Sequence, residues 1–256
     1  MFVRSELKRI GKENLHRNLW LCIGVTLVFG LINSNLFSVE VDPVTYEYYF
    51  RMGLGSTGNI SFDFISIPIT SMYVILGLLA TLAFHILVVN PIIVGHNRYY
   101  IENRFGKSSF ETLFEFFNSN DYLNVVKVML LYDVYIALWT LCLIIPGIIK
   151  SFEYFAVPYI LAENPNMDST EVFEISKQMT NGHKMDLFIL DLSFILWILL
   201  ALITFGLSSL YVNPYIFATK CEAYYFFKQE LFANDIIQAD DEEKIEYVEP
   251  TIDDLH

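Results

Sequence analysis

Asp133 and Asp191 each sit in an otherwise apolar run long enough to enter a bilayer, and each is followed six residues later by a tryptophan, Trp139 and Trp197. A charged side chain at the centre of a membrane helix costs on the order of 3 kcal/mol, so an aspartate there marks a functional site by default. Such a carboxylate would bind a cation, a proton or a polar head group. The alternative is that each aspartate pairs with a nearby base, such as Lys127 or Lys184, and only sets the depth of its helix. Glu153, Glu222 and His85 are the other ionisable residues inside apolar stretches. His85 lies one or two turns before Pro91, where a structural hydrogen bond suits it better than ligation. The remaining histidines, His16, His96, His183 and His256, give it no i, i+4 partner, so no metal or cofactor is expected. The candidate ligand-binding set is therefore Asp133, Asp191, Trp139, Trp197 and His85.

Motifs of soluble catalysis are absent. There is no Gly-x-Ser-x-Gly elbow, no His-Glu-x-x-His and no phosphate-binding loop, so an enzyme is not the expected reading. Gly53-Leu54-Gly55-Ser56-Thr57-Gly58 spells a dinucleotide fingerprint. That reading needs a strand before and a helix after it in a βαβ unit, whereas an aromatic-rich loop and an apolar span flank it here. Cys22, Cys142 and Cys221 have no disulfide or metal spacing and read as small buried apolar side chains.

These residues are carried by a chain of 256, of which 54% is hydrophobic and only 18% charged, with mean hydropathy +0.43. From Glu230 onward there are ten acidic residues and one lysine, so the net charge of −13 reports mainly a tail. No basic stripe is present to neutralise phosphates, and nucleic acid is not an expected partner. The bilayer is.

Residues 1–18 are basic and lead into Leu19–Ile32, read as an uncleaved first span because Asn33-Ser34-Asn35 is a poor cleavage site. Residues 33–64 read as a polar extracytoplasmic loop. Further spans are expected at 65–94, 123–149, 152–161, 186–213 and 210–227, with bends at Pro146-Gly147 and Gly206. Ser108-x-x-Glu111 and Asp168-x-x-Glu171 are capping boxes opening amphipathic helices. Phe110, Leu113, Phe114 and Phe117 form the stripe of the first; Val172, Ile175 and Met179 form that of the second. Each such helix would lie on the membrane surface or against the bundle's own cytoplasmic face.

Asp133-x5-Trp139 and Asp191-x5-Trp197 superimpose without gaps, and each run continues to a glycine and then to Val157-Pro158-Tyr159-Ile160 or Asn213-Pro214-Tyr215-Ile216. Asn14-x5-Trp20 and Asn90-Pro91-Ile92-Ile93 fit more loosely. The expected fold class is all-α: a polytopic membrane protein of six membrane helices, arranged as three helical hairpin repeats with amphipathic interfacial helices. Residues 1–230 would form the membrane domain and 231–256 an acidic, disordered cytoplasmic tail. With both termini cytoplasmic, 14 of 16 lysines and arginines fall inside, leaving Arg51 and Lys150 outside. Asp133 and Asp191 would then lie one to two turns from the cytoplasmic boundary and converge between hairpins.

Leu143-Ile144-Ile145-Pro146-Gly147-Ile148, Tyr159 to Pro165, Ser176-x-x-Met179-x-x-Gly182-x-Lys184 and Leu192-Ser193-Phe194-Ile195-x-Trp197 resemble the bacterial integral membrane family catalogued as domain of unknown function nine-seven-five. It looks akin to the membrane domains attached to some glycerophosphodiester phosphodiesterases. The resemblance covers roughly residues 5–230 and implies a multi-span plasma-membrane protein; it brings no catalytic residues. The function expected is non-enzymatic binding, sensing or transport of a small amphiphile or lipid head group. The alternative is an accessory or scaffold subunit that holds a protein partner, or a second copy, through its cytoplasmic helices and tail.

Overall fold

Long apolar runs of this kind bury their backbone polarity most cheaply as helices, and helices form the body of the chain. The structure, a computed structural model, describes residues 2–33, 37–42, 47–54, 58–68 and 71–238, with side chains described over 2–33 and 75–233. The helices are α1 (Arg4–Arg17), α2 (Leu19–Asn33), α3 (Ser71–Phe84), α4 (Asn90–Arg104), α5 (Tyr122–Cys142), α6 (Ile144–Glu153), α7 (Val157–Glu163), α8 (Ser169–Thr180), α9 (Lys184–Leu192), α10 (Ile195–Ile203) and α11 (Ser209–Gln238). A π-helical segment, His85–Val89, joins α3 to α4, and a 3-10 helix, Glu111–Asn118, precedes α5.

Among the described residues, four stretches are long and apolar enough to cross a bilayer: Ile75–Arg104, Tyr122–Cys142, Ile144–Glu163 and Lys184–Ile203. A fifth results if α1 and α2, bent by 98° to one another, are taken together. The six expected spans exceed this at two places. The first is α2 alone, 15 residues and so about 22 Å long. The sixth falls within α11, where Lys220, Glu222 and Lys228 break the apolar run.

The stretch read as a loop at 33–64 instead carries an antiparallel sheet of β1 (Phe37–Asp42), β2 (Glu47–Leu54) and β3 (Gly58–Pro68), in that order. Val39 is opposite Phe50, and Met52 opposite Phe62. The alternation of Phe37, Val39 and Val41 with Ser38, Glu40 and Asp42 is the period-two signal of a strand, masked in the sequence by the glycines that follow. Leu54 pairs with Gly58, so the Gly-rich motif joins two antiparallel strands and cannot cradle a pyrophosphate at a helix start; Gly55–Thr57 lie outside the described residues.

The second hairpin turns at Leu143, whose backbone is extended (φ −161°, ψ 141°), not at Pro146-Gly147. Pro146 thereby falls in the first turn of α6, where its missing N–H is no loss. Gly147 serves close approach, since a Cβ there would lie 2.8 Å from the Thr140 Cα on α5. Gly206 does supply a positive φ, +85°, at the end of the turn after α10.

Of the two expected capping boxes, the N-cap half is seen at Asp168, whose side chain accepts from the Thr170 N–H at 3.0 Å. It fails at Ser108, whose hydroxyl donates to Asn103 Oδ1 instead. The segment that follows winds as a 3-10 helix, so a three-residue period turns Leu113 and Phe116 inward against α4 and leaves Phe110 and Phe114 exposed. The buried residues form one core cluster. Leu15, Tyr99, Leu113, Met129, Leu161 and Tyr224 are all fully buried there, and most of α7 with them. Residues 231–238, read as the start of a disordered tail, continue α11; the rest of the tail, 239–256, lies outside the described residues.

Candidate functional site

Pro91 determines the local structure. Lacking an N–H, it leaves the carbonyl of Leu87 without its helical donor, and the Tyr122 hydroxyl donates to that carbonyl at 2.8 Å. The chain widens into the π-helical turn His85–Val89 just before it, a distortion that often accompanies functional sites. The widened turn brings His85 and Asn90 onto Asp133 of α5. Asn90 Nδ2 donates to Asp133 Oδ2 at 2.7 Å, and His85 Nε2 stands 3.4 Å from the same oxygen.

Asn90 is fully buried and its Oδ1 has no hydrogen-bond partner. The carboxylate can only accept from the amide, so the amide orientation is fixed and the orphaned acceptor is real chemistry. Asp133 spends Oδ2 on both neighbours and keeps about a third of its side chain exposed. It opens onto a cavity of about 450 Å³ lined by Tyr132, Asp133, Ile136, Ala137, Thr140 and Leu141. Asp133, Ile136, Ala137 and Thr140 are one face of α5 at i, i+3, i+4, i+7. The Thr140 hydroxyl is committed to the Ile136 carbonyl at 2.8 Å, which leaves the Asp133 carboxylate and the Tyr132 hydroxyl as the polar groups of an otherwise apolar groove.

The expected convergence of Asp133 and Asp191 does not occur. Asp191 is bound by Lys220 (3.0 Å to Oδ1, 3.3 Å to Oδ2) and lines no part of the cavity. Neither aspartate takes the base the sequence offered: Lys127 reaches Asp168 at 3.9 Å, and Lys184 reaches Glu153 at 2.5 Å. Trp139 lies under Lys150, 5.2 Å from its ring, and Trp197 meets Tyr215 edge-on at 6.3 Å, so neither tryptophan joins Asp133. Asp191→Asn should therefore shift the melting temperature by less than about 3 °C, because an ion pair about a third exposed to solvent contributes at most about 1 kcal/mol. A larger drop in a thermal scan of purified protein would give Asp191 more than this surface role.

Two polar clusters were missed because each depends on at least one partner far away in sequence. Glu153 is shared by Lys150 (2.6 Å) and Lys184 (2.5 Å), and its own carbonyl accepts from Ser176 and Thr180. The six-span layout put those two lysines on opposite faces of the bilayer; one carboxylate holding both places them at one depth. Glu222, an ionisable residue in an apolar stretch of the sequence, is buried and bonded to Arg104 Nε (3.0 Å) and Asn14 Nδ2 (2.7 Å). Burial pushes its carboxyl above the usual range, and Arg104 and Asn14 pull it back. Among the described residues no three His, Cys, Asp or Glu side chains group as metal ligands.

In comparisons with known proteins, a family model described as a protein of unknown function (DUF975) matches residues 72–230. No curated protein and no solved structure matches the chain. The matched segment runs from α3 through α11 and so contains every residue of the Asp133 site. The chain belongs to the family of proteins of unknown function DUF975.

Proposed function

We propose that this chain is an integral protein of the plasma membrane that binds the polar head of a small amphiphile at Asp133, without catalysing a reaction on it. The observation that carries the reading is the apolar groove of about 450 Å³ with a half-satisfied carboxylate at one end and the orphaned Asn90 oxygen behind it. Acyl chains fit the groove wall of Ile136, Ala137 and Leu141, and a head group with N–H or O–H donors fits the carboxylate. The distribution of lysine and arginine supports cytoplasmic termini. Asp133 alone, and not a pair with Asp191, holds the head group.

The test uses fluorescent phosphatidylethanolamine, whose ammonium is a suitable donor, titrated against purified protein in nanodiscs of neutral lipid. Asp133→Asn should weaken binding about tenfold, the loss of one charge-assisted hydrogen bond. Its melting temperature should stay within about 3 °C of the parent, because the asparagine oxygen can still accept from Asn90. Equal affinity in the parent and the variant would sink the reading.

A further inference from the structure

The tips of the second and third hairpins expose large apolar side chains of a kind that suits no aqueous turn. At α5–α6 the chain reverses through Leu141-Cys142-Leu143-Ile144-Ile145, with Leu141 86% and Ile145 72% exposed. At α10–α11 it reverses through Thr204 to Ser208, with Phe205 95% exposed. Water-facing turns are built from Gly, Pro, Asn, Asp and Ser, with the polar groups outward. Here the hydroxyls turn back onto the chain. Thr204 Oγ1 donates to the Leu200 carbonyl at 2.9 Å and accepts from the Ser208 N–H at 3.2 Å. Ser209 Oγ bonds the Gly206 carbonyl, whose own N–H bonds Ala201. Internal satisfaction of turn groups is what hydrocarbon demands.

The exposed apolar band below each tip is short. On α5 it begins after Asp133 and covers 134–142; on the return it ends at Ile149, before Lys150. On the third hairpin the uninterrupted band is α10, nine residues, with Leu192 exposed just before it and Met185 and Phe188 exposed further down among Lys184, Asp186 and Asp191. At its base Lys8 seats its ammonium on the Ser193 carbonyl at 3.2 Å and over the Phe194 ring at 4.0 Å. The return arm meets His16 at Tyr211, 3.1 Å away. Nine residues of helix rise about 14 Å, against about 30 Å for the hydrocarbon core. Counted from the exposed Lys127, residues 128–142 still rise only about 22 Å. The stretch Ile75–Arg104 differs: it is 30 residues long, and no lysine, arginine, aspartate or glutamate interrupts 64–97.

We infer that the second and third hairpins enter the bilayer from one face, sink through about one leaflet and return without emerging. The ring of Lys8, Lys127, Lys150, Lys184 and Lys220 then lies at the head-group level of the entered leaflet. Asp133, at the base of the band, lies there too. This inference rests on the membrane reading above but not on the ligand at Asp133.

Cys142 is exposed at one tip, while Cys22 and Cys221 are buried, so the full chain carries its own probe. A nitroxide attached at Cys142 in proteoliposomes, and another at Phe205→Cys in a Cys142→Ser background, should collide readily with oxygen and hardly at all with a water-soluble nickel chelate, inside or outside. Strong collision with the chelate at either tip would overturn the inference, since that tip would stand in water. Extraction of the protein by alkaline carbonate would overturn it together with the membrane reading. Leu143→Arg provides an independent measure: a charge at mid-bilayer should cut membrane-inserted yield several-fold, whereas an arginine on an aqueous turn would leave it unchanged.

Discussion

Glu222→Ala should lower the stability of the purified protein by about 3 kcal/mol, seen as a fall in melting temperature of roughly 6–12 °C. Glu222 of α11 is 3% exposed and binds Arg104 of α4 through both carboxylate oxygens, at 3.0 and 3.2 Å. It also accepts from Asn14 of α1 at 2.7 Å. The cluster extends further: Asn103 Nδ2 donates to the Asn14 carbonyl at 2.9 Å, and Arg17 donates to the Arg104 carbonyl at 2.9 Å. One carboxylate thus ties the N-terminal helix and the last helix to α4. Removing it strands a guanidinium and an amide in a site with little water. Breaking a fully buried pair costs about 3–5 kcal/mol, and the lower end applies because a quarter of the Arg104 side chain remains solvated. Glu222→Gln keeps an acceptor for Asn14 and should lose about half as much. Arg104→Met combined with Glu222→Ala should cost clearly less than the two single changes added. Additive losses would show that the three helices are joined by packing and that the pair is incidental.

Gly95→Ala should be comparably damaging, by about 3 kcal/mol, with reduced yield. A Cβ at Gly95 would overlap the Leu113 carbonyl oxygen and lie 2.9 Å from its carbonyl carbon and 3.1 Å from the Thr112 oxygen. These neighbours are backbone and cannot rotate aside, so the 3-10 helix must move off α4 as a unit, the costly end of overpacking. It is not free to move. Thr112 Oγ1 donates to Glu102 at 2.8 Å, Glu102 holds Arg98 at 3.0 Å, and Arg98 donates to the Ala162 carbonyl at 3.0 Å. Gly24→Ala is the control, because nothing lies within 4 Å of its missing Cβ and alanine favours a helix interior. A parent-like melting temperature for Gly95→Ala would mean that the 3-10 helix does not rest on α4 this closely.

Hydropathy and charge were legible in one dimension. The apolar runs, the bend at Gly206, the cap at Asp168 and the family all follow from residues that interact within a turn or two of one another. Asp133 and His85 were singled out for being ionisable in apolar runs, and the structure does join them. What could not be read was the partner of each charge, because Asn90 is 43 residues from Asp133 and Asn14 is 208 from Glu222. The internal likeness of the two Asp-x5-Trp runs suggested a shared pocket. Lys220, with no counterpart at the Asp133 site, claims Asp191 instead.

By itself the sequence determined that this chain is built from apolar helices, that its cationic residues gather between them, and where single residues cap or turn the backbone, since these depend on local periodicity and on transfer of side chains from water. Tertiary structure alone decided that the Gly-rich segment joins strands, that Leu143 turns the second hairpin, and that Lys150 and Lys184 meet on Glu153. Those outcomes depend on which surfaces are brought together. A lysine at the end of an apolar run reads the same whether water or a carboxylate from another helix receives it; only the packing of that helix settles which.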